Sequence, residues 1–313
     1  MGIIKVLTSF YSALYSRKRG VNRIYSPFRF VMRSIADVCL NTLPMRSSIL
    51  HRTFREDVII SLTSFPARIN NLWKVIYSLK LQEVKVGKII LWLSSEQIKS
   101  KDDLPEKLKE LQDELFEIRL VEGDLRSHKK YYYSFLEYPD STIITVDDDI
   151  FYHPKTVTHL LETSSKYKNC VIANLTNRIL YINKTIQPYI MWDSNNSRYS
   201  NSNLVQIGAG GVLYPPHCLD KDVLEISLFM KLAPKADDLW LNAMARKANT
   251  KIVQSTSKIL FMPVLQEPTA PSLNSENVAG GGNDEQLINI RNYYLNNFGI
   301  DLFLDQNDEN TLL

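Results

Sequence analysis

Short apolar runs alternate with amphipathic stretches after Asp57, and this alternation constrains the fold more than any other feature of the sequence. Residues 88–93 (KIILWL) are apolar almost throughout, as is typical of a strand buried on both faces of a parallel sheet. Similar runs at 58–62, 118–121 and 142–146 predict three more strands. Strands that alternate with helices predict an α/β fold with an open, mostly parallel sheet flanked by helices.

Helical periodicity fills the intervals between these strands. A charged surface helix is predicted over 103–116, with an apolar stripe of leucines and Pro105 in its first turn. Further helices are predicted over 129–136, from Pro154 to about residue 167, and over 237–246. The polar stretch 194–203 is expected to be a surface loop or lid.

The four strands should present their carboxyl ends at one edge of the sheet, because βαβ crossovers are right-handed. Ligands of open α/β folds bind at this edge. The residues that follow the strands there are Ser64, Pro66 and Arg68 after the first, Ser94 and Ser95 after the second, Asp124, Arg126 and Lys129 after the third, and Asp147, Asp148 and Asp149 after the fourth. We therefore expect the binding site among these loops.

Three consecutive carboxylates, those of Asp147, Asp148 and Asp149, end the fourth strand. Their mutual repulsion favours a positive partner, and carboxylate oxygens suit a hard cation such as Mn²⁺ or Mg²⁺. Strand alternation directs Asp147 and Asp149 to one side and Asp148 to the other. The run could also be an acidic turn that caps the next helix, but its position at the carboxyl end of a parallel strand favours a metal site.

Several ordered motifs resemble the GT-A class of glycosyltransferases over about residues 57–260. They are SLTSFPAR at 61–68, IITVDDDI at 143–150, Gly210-Gly211-Val212, and Asp237-Asp238. The resemblance implies a GT-A-like fold and a metal-dependent enzyme that moves a sugar from a nucleotide-diphosphate donor to a glycan or lipid-linked acceptor. Surface polysaccharide synthesis is the expected setting.

The resemblance also implies roles for particular residues. Asp149 would be the principal metal ligand, and Asp147 a second metal ligand or a ribose contact. The loop after the first strand would lie against the nucleotide base. The donor-binding residues that we predict are Thr63, Ser64, Pro66, Arg68, Asp124, Lys129, Asp147, Asp148, Gly210 and Gly211.

Asp237 and Asp238 precede a predicted helix, where a carboxylate can cap free backbone amides. One of them could instead be the general base that deprotonates an acceptor hydroxyl. We favour Asp238 over Asp237 as the base, and a base of this kind implies inversion at the anomeric carbon. Arg126, His128, Lys129 and Lys130 could stabilise a leaving diphosphate, or they could form a solvated basic turn.

Glycines mark two further segments. Gly208, Gly210 and Gly211 would let the backbone approach a sugar, although a turn before a strand explains them equally well. Residues 280–282 are three glycines that precede a predicted capped helix, and they could form a lid over the donor or a simple connector. His128 and His153 lie near the predicted site in sequence, and the third metal ligand is left open.

The first 55 residues are basic, with ten lysines and arginines against Asp37 as the single acidic residue. Their longest apolar stretch is shorter than the roughly 20 residues that a membrane span requires. Two interpretations remain: an amphipathic anchor on an anionic membrane surface, or a helical extension packed on the domain. The predicted organisation is this extension (1–55), a catalytic domain (56–265) and a C-terminal loop and helix (266–313).

Cysteine content and the loop after the first strand argue against other classes of protein. Cys39, Cys170 and Cys218 are odd in number and far apart, which argues against a disulfide framework or a zinc site and favours the cytoplasm. The basic N-terminus adds the expectation of peripheral contact with the inner face of the plasma membrane. A nucleotidyltransferase would carry a glycine-rich, basic phosphate loop where this chain has Ser64-Phe65-Pro66-Ala67. A non-catalytic nucleotide-sugar-binding scaffold is the other alternative, and no nucleic acid is expected among the partners.

Overall fold

The computed structural model describes residues 2–14, 24–42, 53–192, 203–255, 261–265, 277 and 280–304. Its strands are β1 (Thr53–Thr63), β2 (Val84–Ser94), β3 (Phe116–Val121), β4 (Thr142–Thr145), β5 (Ile150–Tyr152), β6 (Val171–Ala173), β7 (Thr176–Arg178), β8 (Tyr181–Ile182), β9 (Thr185–Ile186), β10 (Leu204–Gln206), β11 (Val212–Tyr214), β12 (Ile252–Gln254) and β13 (Phe261–Pro263). Its helices are α1 (Gly2–Ala13), α2 (Ser26–Thr42), α3 (Ile69–Lys80), α4 (Glu106–Lys109), α5 (Lys129–Glu137), α6 (Thr156–Lys166), α7 (Ile226–Leu232), α8 (Asp237–Lys247) and α9 (Gly282–Phe298).

Seven strands form a central sheet in the order β12-β6-β11-β4-β1-β2-β3. The β1 strand is parallel to β2 and β4, and β2 is parallel to β3. On the other side β11 runs antiparallel to β4 and β6, and β12 is again parallel to β6. The predicted α/β fold with an open, mostly parallel sheet is confirmed.

Alternate residues of β1 and β2 pack on opposite faces of the sheet, as a period of two requires. Val58, Ile60 and Leu62 join the large core cluster that includes the apolar face of α3. Ile59 belongs to a second cluster with Trp92, against which the α5 residue Tyr133 packs. Because both faces are covered, the strands are apolar almost throughout, which explains why the sequence identified them.

The helix predicted over 103–116 is much shorter in the structure. A 3-10 turn at Lys101–Asp103 is followed by the single helical turn α4. The Asp113 carboxylate accepts the backbone N–H groups of Leu115 and Phe116, each at 3.0 Å, and so offers the chain an alternative to helix before β3. The leucines predicted as the apolar stripe still serve the core, since Leu108 is fully buried.

The two N-terminal helices pack on the domain. Tyr11 and Leu40 belong to the large core cluster. Ser12 Oγ donates to the carbonyl of Phe261 at 3.1 Å, which ties α1 to β13. None of the helices in the described ranges is long and apolar enough to cross a membrane. The predicted polar loop at 194–203 lies outside the described residues except for Asn203.

Candidate functional site

The acidic run lies in a turn at the carboxyl edge of the sheet. The β4 strand ends at Thr145, and the N–H of Val146 donates to the carbonyl of Ser61 at 3.1 Å, which keeps the chain beside β1. Asp147, Asp148 and Asp149 follow, so strand alternation does not extend over the run. The backbone N–H of Asp147 donates to the hydroxyl of Tyr152 at 2.8 Å and fixes the start of the turn.

Asp148 is buried and bound to the loop after β1. Ser64 Oγ donates to Asp148 Oδ2 at 2.6 Å, and Arg68 Nη1 donates to Asp148 Oδ1 at 2.7 Å. The same Arg68 Nη1 lies 3.0 Å from Asp149 Oδ2. Arg68 therefore holds two of the three carboxylates, and Asp148 joins the ends of β1 and β4 to each other.

Asp149 is more open than Asp148. Its side chain is 33% exposed, against 8% for that of Asp148. Burial raises the pKa of Asp149 to about 7; Arg68 lowers it, but Asp147 and Asp148 add repulsion that raises it. Asp149 is therefore a half-buried carboxylate beside two others, and its repulsion from them favours a cationic partner such as Arg68 or a metal ion.

Lys130 bridges the acidic run and the start of α8. Its Nζ lies 2.8 Å from Asp147 Oδ1 and 2.7 Å from Asp237 Oδ2. Burial lowers the pKa of Lys130, but the charges of Asp147, Asp237 and Asp238 outweigh burial and hold the pKa well above its usual range. The carbonyl of Lys130 also accepts a hydrogen bond from Ser61 Oγ, so α5 is fixed to β1 at this residue.

Gly208 lies where Asp147, Lys130 and Asp238 converge. Its N–H donates to Asp238 Oδ2 at 3.0 Å. A Cβ at this position would lie 3.0 Å from both Asp147 Oδ1 and Lys130 Nζ, and 3.3 Å from Asp238 Oδ1. Only glycine leaves these groups undisturbed. The metal-side and base-side carboxylates predicted from sequence thus meet at one point.

Asp237 and Asp238 differ in their surroundings although they are adjacent. Asp237 is buried. Burial raises its pKa, but the positive charge of Lys130 outweighs burial and holds the pKa of Asp237 below its usual value. Asp238 is partly exposed, and burial together with the charge of Asp237 raises its pKa to about 8. Asp237 is therefore a charged partner of Lys130, whereas Asp238 can exchange a proton near neutral pH.

The described part of the site has more negative than positive charge. Within the described residues, two cationic side chains, Arg68 and Lys130, lie among five carboxylates. The five are those of Asp147, Asp148, Asp149, Asp237 and Asp238. In the same residues no three or more His, Cys, Asp or Glu side chains form a metal-binding group. Asp147 and Asp149 still fit a divalent cation, because Mg²⁺ is commonly held by one or two carboxylates together with substrate phosphates and water.

Asp124 and Lys129, both predicted to bind the donor, contact each other. Lys129 Nζ pairs with Asp124 Oδ1, and Gln97 Nε2 donates to Asp124 Oδ2 at 2.8 Å. Lys129 is buried, and burial lowers its pKa although Asp124 raises it. The contacts of this pair are thus separate from those of the acidic run, and Lys130 is the lysine that reaches Asp147.

The remaining predicted donor residues take other positions. Thr63 Oγ1 donates to the carbonyl of Trp92 at 2.8 Å, and Pro66 is exposed in the turn before α3. A Cβ on Gly210 would lie 2.6 Å from Leu175 Cβ, so this glycine allows close packing. Gly211 has a φ of +82°, a conformation that favours glycine.

The two histidines considered from sequence are buried in the protein. His128 Nε2 lies 2.8 Å from the carbonyl of Ala233, and the ring stacks on Phe229 at 4.4 Å. Burial lowers the pKa of His128 to about 4, so its ring is neutral at pH 7 and adds no positive charge for a diphosphate. His153 is also buried, its pKa lowered to about 4, and lies 3.4 Å from Ser9 of α1.

Sequence reasoning missed Tyr189, and it considered Asp284 only as part of the glycine-rich segment and capped helix that could form a lid. The backbone N–H of Tyr189 donates to Asp284 Oδ1 at 2.7 Å, which links the first turn of α9 to the 3-10 turn at Tyr189–Met191. Burial raises the pKa of Tyr189, and the charge of Asp238 contributes to the increase. The Tyr189 side chain thus lies within electrostatic range of the Asp238 carboxylate. No local sequence pattern distinguishes this tyrosine from the other fifteen.

No family model and no curated protein matches this chain. Among solved structures, similar ones include the TarS 1-349 fragment of S. aureus, with 11% identity and a TM-score of 0.43 over 79% of this chain and 72% of that one. The UTP-bound UGPase of Acinetobacter baumannii has 8% identity and a TM-score of 0.37 over 81% and 96%. A UDP-glucose pyrophosphorylase complexed with UDP-glucose has 10% identity and a TM-score of 0.39 over 79% and 100%.

Proposed function

We propose that this protein is a glycosyltransferase that moves a sugar from a nucleotide-diphosphate donor to a hydroxyl of a glycan or lipid-linked acceptor. The observation that carries the proposal is the convergence of Asp147, Lys130 and Asp238 at Gly208. A site for the diphosphate and a candidate base would thereby lie on the two sides of one point. Sugar transfer with inversion requires this arrangement, because the hydroxyl then attacks the anomeric carbon from the side opposite the leaving group.

On the donor side, Asp147 and Asp149 would hold Mn²⁺ or Mg²⁺ together with diphosphate oxygens. The cation would supply positive charge to the diphosphate as it leaves. Arg68 and Lys130 keep the two carboxylates in place through contacts of 3.0 and 2.8 Å. The turn that carries Thr63, Ser64 and Pro66 remains our prediction for the surface that faces the nucleotide base.

On the acceptor side, Asp238 is the proposed general base. The N–H of Gly208 holds its Oδ2 atom, which leaves Oδ1 beside the position that Gly208 keeps clear. The acceptor hydroxyl gives its proton to Asp238 as its oxygen bonds to the anomeric carbon. The bond to the diphosphate oxygen breaks, and the nucleoside diphosphate leaves with the electron pair. Direct attack inverts the configuration, which NMR of the product tests.

A nucleotidyltransferase is less well supported by the loop after β1. Residues 64–68 contain no glycine, and their one cation, Arg68, is bound to Asp148 and Asp149. This arrangement gives no cradle for a triphosphate. The two activities are separated by their products: pyrophosphate from a nucleoside triphosphate and a sugar 1-phosphate, or a nucleoside diphosphate from a nucleotide sugar.

The test is the release of nucleoside diphosphate from UDP- and GDP-sugars with and without Mn²⁺. We expect metal-dependent release that falls about 100-fold or more in Asp149→Ala, because the leaving group loses its stabilisation. Asp140→Ala is the matched control, since Asp140 is exposed and pairs with His217 away from the site. Absence of metal-dependent release in the wild type, or pyrophosphate formation instead, would contradict the proposal.

A further inference from the structure

The α2 helix packs on the domain through its charged side. Its three charged residues, Arg29, Arg33 and Asp37, are four residues apart and all contact the protein. Arg33 donates to the carbonyls of Pro263 and Val264 at 3.0 and 3.1 Å. Asp37 Oδ1 lies 2.5 Å from Lys74 Nζ, and Arg29 donates to the carbonyl of Leu14 at 3.3 Å. The charges of α2 are therefore used for packing.

The opposite side of α2 carries an exposed apolar stripe. We define this stripe by four side chains of α2 that are 44–63% exposed: Phe28, Val31, Ile35 and Val38. Their spacing of four and three residues places them along one face of a helix. A surface helix of a water-soluble domain normally turns polar residues to solvent, and contiguous exposed apolar patches mark contact surfaces.

The chain on both sides of α2 is strongly basic. Residues 15–23, between α1 and α2, contain Arg17, Lys18, Arg19 and Arg23 and no acidic residue. Residues 43–52 add Arg46 and Arg52, again without an acidic residue. The one carboxylate in the first 55 residues, that of Asp37, is paired with Lys74. The stripe is thus flanked in sequence by two segments that contain basic residues and no acidic residue.

This charge decides between the surfaces that could cover the stripe. A second copy of the chain would carry the same excess of positive charge beside its own α2 in sequence, and like charges oppose association. Anionic lipid headgroups complement the same segments, while the acyl region accepts the apolar side chains. We propose that the α2 stripe binds the surface of an anionic bilayer, with the helix lying in the plane of the interface.

Co-sedimentation of the full chain with vesicles tests this proposal. We expect binding to phosphatidylcholine vesicles that contain phosphatidylglycerol and little binding to phosphatidylcholine alone. Phe28→Glu/Ile35→Glu should weaken binding by about tenfold or more, because two charges would enter the apolar region. Arg17→Gln/Lys18→Gln/Arg19→Gln should remove the preference for anionic vesicles.

The matched control is Ile288→Glu/Leu295→Glu on α9. These two residues have the same spacing and are 52% and 48% exposed, but they lie outside the stripe. The control should bind vesicles as the wild type does, and all variants should melt at the wild-type temperature. The proposal is overturned if the wild type does not bind anionic vesicles or if the stripe variant binds them as strongly as the control does. It is also overturned if light scattering finds a dimer that the stripe variant converts to monomer.

Discussion

The acidic edge of the sheet and the α2 stripe both depart from an ordinary domain surface, but in opposite ways. At the edge, five carboxylates meet two cationic side chains within the described residues, so the charge is unbalanced. In α2, each charged side chain contacts the protein, and the apolar side chains of the stripe face outward. For the first region we propose a cation that in turn binds a diphosphate, and for the second a membrane surface. The kind of group in excess indicates the kind of partner.

The comparison is sharpened most by removing one cation from each region. Lys130→Met would leave the buried Asp237 and the half-buried Asp147 without their shared partner, and we expect a loss of about 3–5 kcal/mol in the free energy of unfolding. Arg33→Met removes bonds to two neutral carbonyls and should cost about 1–2 kcal/mol. Denaturant unfolding measures both.

Activity of the folded fraction separates the same two variants further. Lys130→Met should lose nucleoside diphosphate release, whereas Arg33→Met should keep it. If the two variants lost similar stability and activity, the charges at the edge would be ordinary packing contacts, and the contrast between the regions would be wrong.

A smaller effect is expected from two glycines of one turn. Gly208→Ala places a methyl group 3.0 Å from Asp147 Oδ1 and Lys130 Nζ, so it should displace catalytic groups and lower kcat about 10- to 100-fold. Gly210→Ala meets Leu175 Cβ at 2.6 Å and should instead cost about 1–3 kcal/mol of stability. Steady-state kinetics and thermal melting of both variants distinguish the effects. If kcat were equal in the two variants, the proposal that Gly208 belongs to the active site would be wrong.

Much of the fold could be predicted because the strands are buried on both faces. The predicted strand 88–93 lies within β2, and the strand 142–146 differs from β4 by one residue. The helix over 103–116 was wrong because the side chain of Asp113 competes for backbone N–H groups, which apolar spacing does not reveal. The position of the acidic run at the sheet edge followed from its strand.

The finer features of the site could not be predicted. Lys129 and Lys130 are adjacent, and about 100° of helical rotation sends one to Asp124 and the other to Asp147. The choice of Gly208 over Gly210 likewise depends on which residue of the turn faces the carboxylates. The sequence left open whether the first 55 residues form a membrane anchor or pack on the domain, and only the contacts of α2 with Pro263, Val264 and Lys74 show which of its faces packs.

The central claim, that Asp238 is the base of a sugar-transfer site, is tested most directly by Asp238→Asn. Asparagine keeps the shape of the side chain and its bond from the N–H of Gly208 but cannot take a proton at neutral pH. With Mn²⁺ and the nucleotide sugar that the wild type uses, we predict that kcat falls about 10²- to 10⁴-fold while the donor KM changes little. Wild-type kcat in Asp238→Asn would contradict the account.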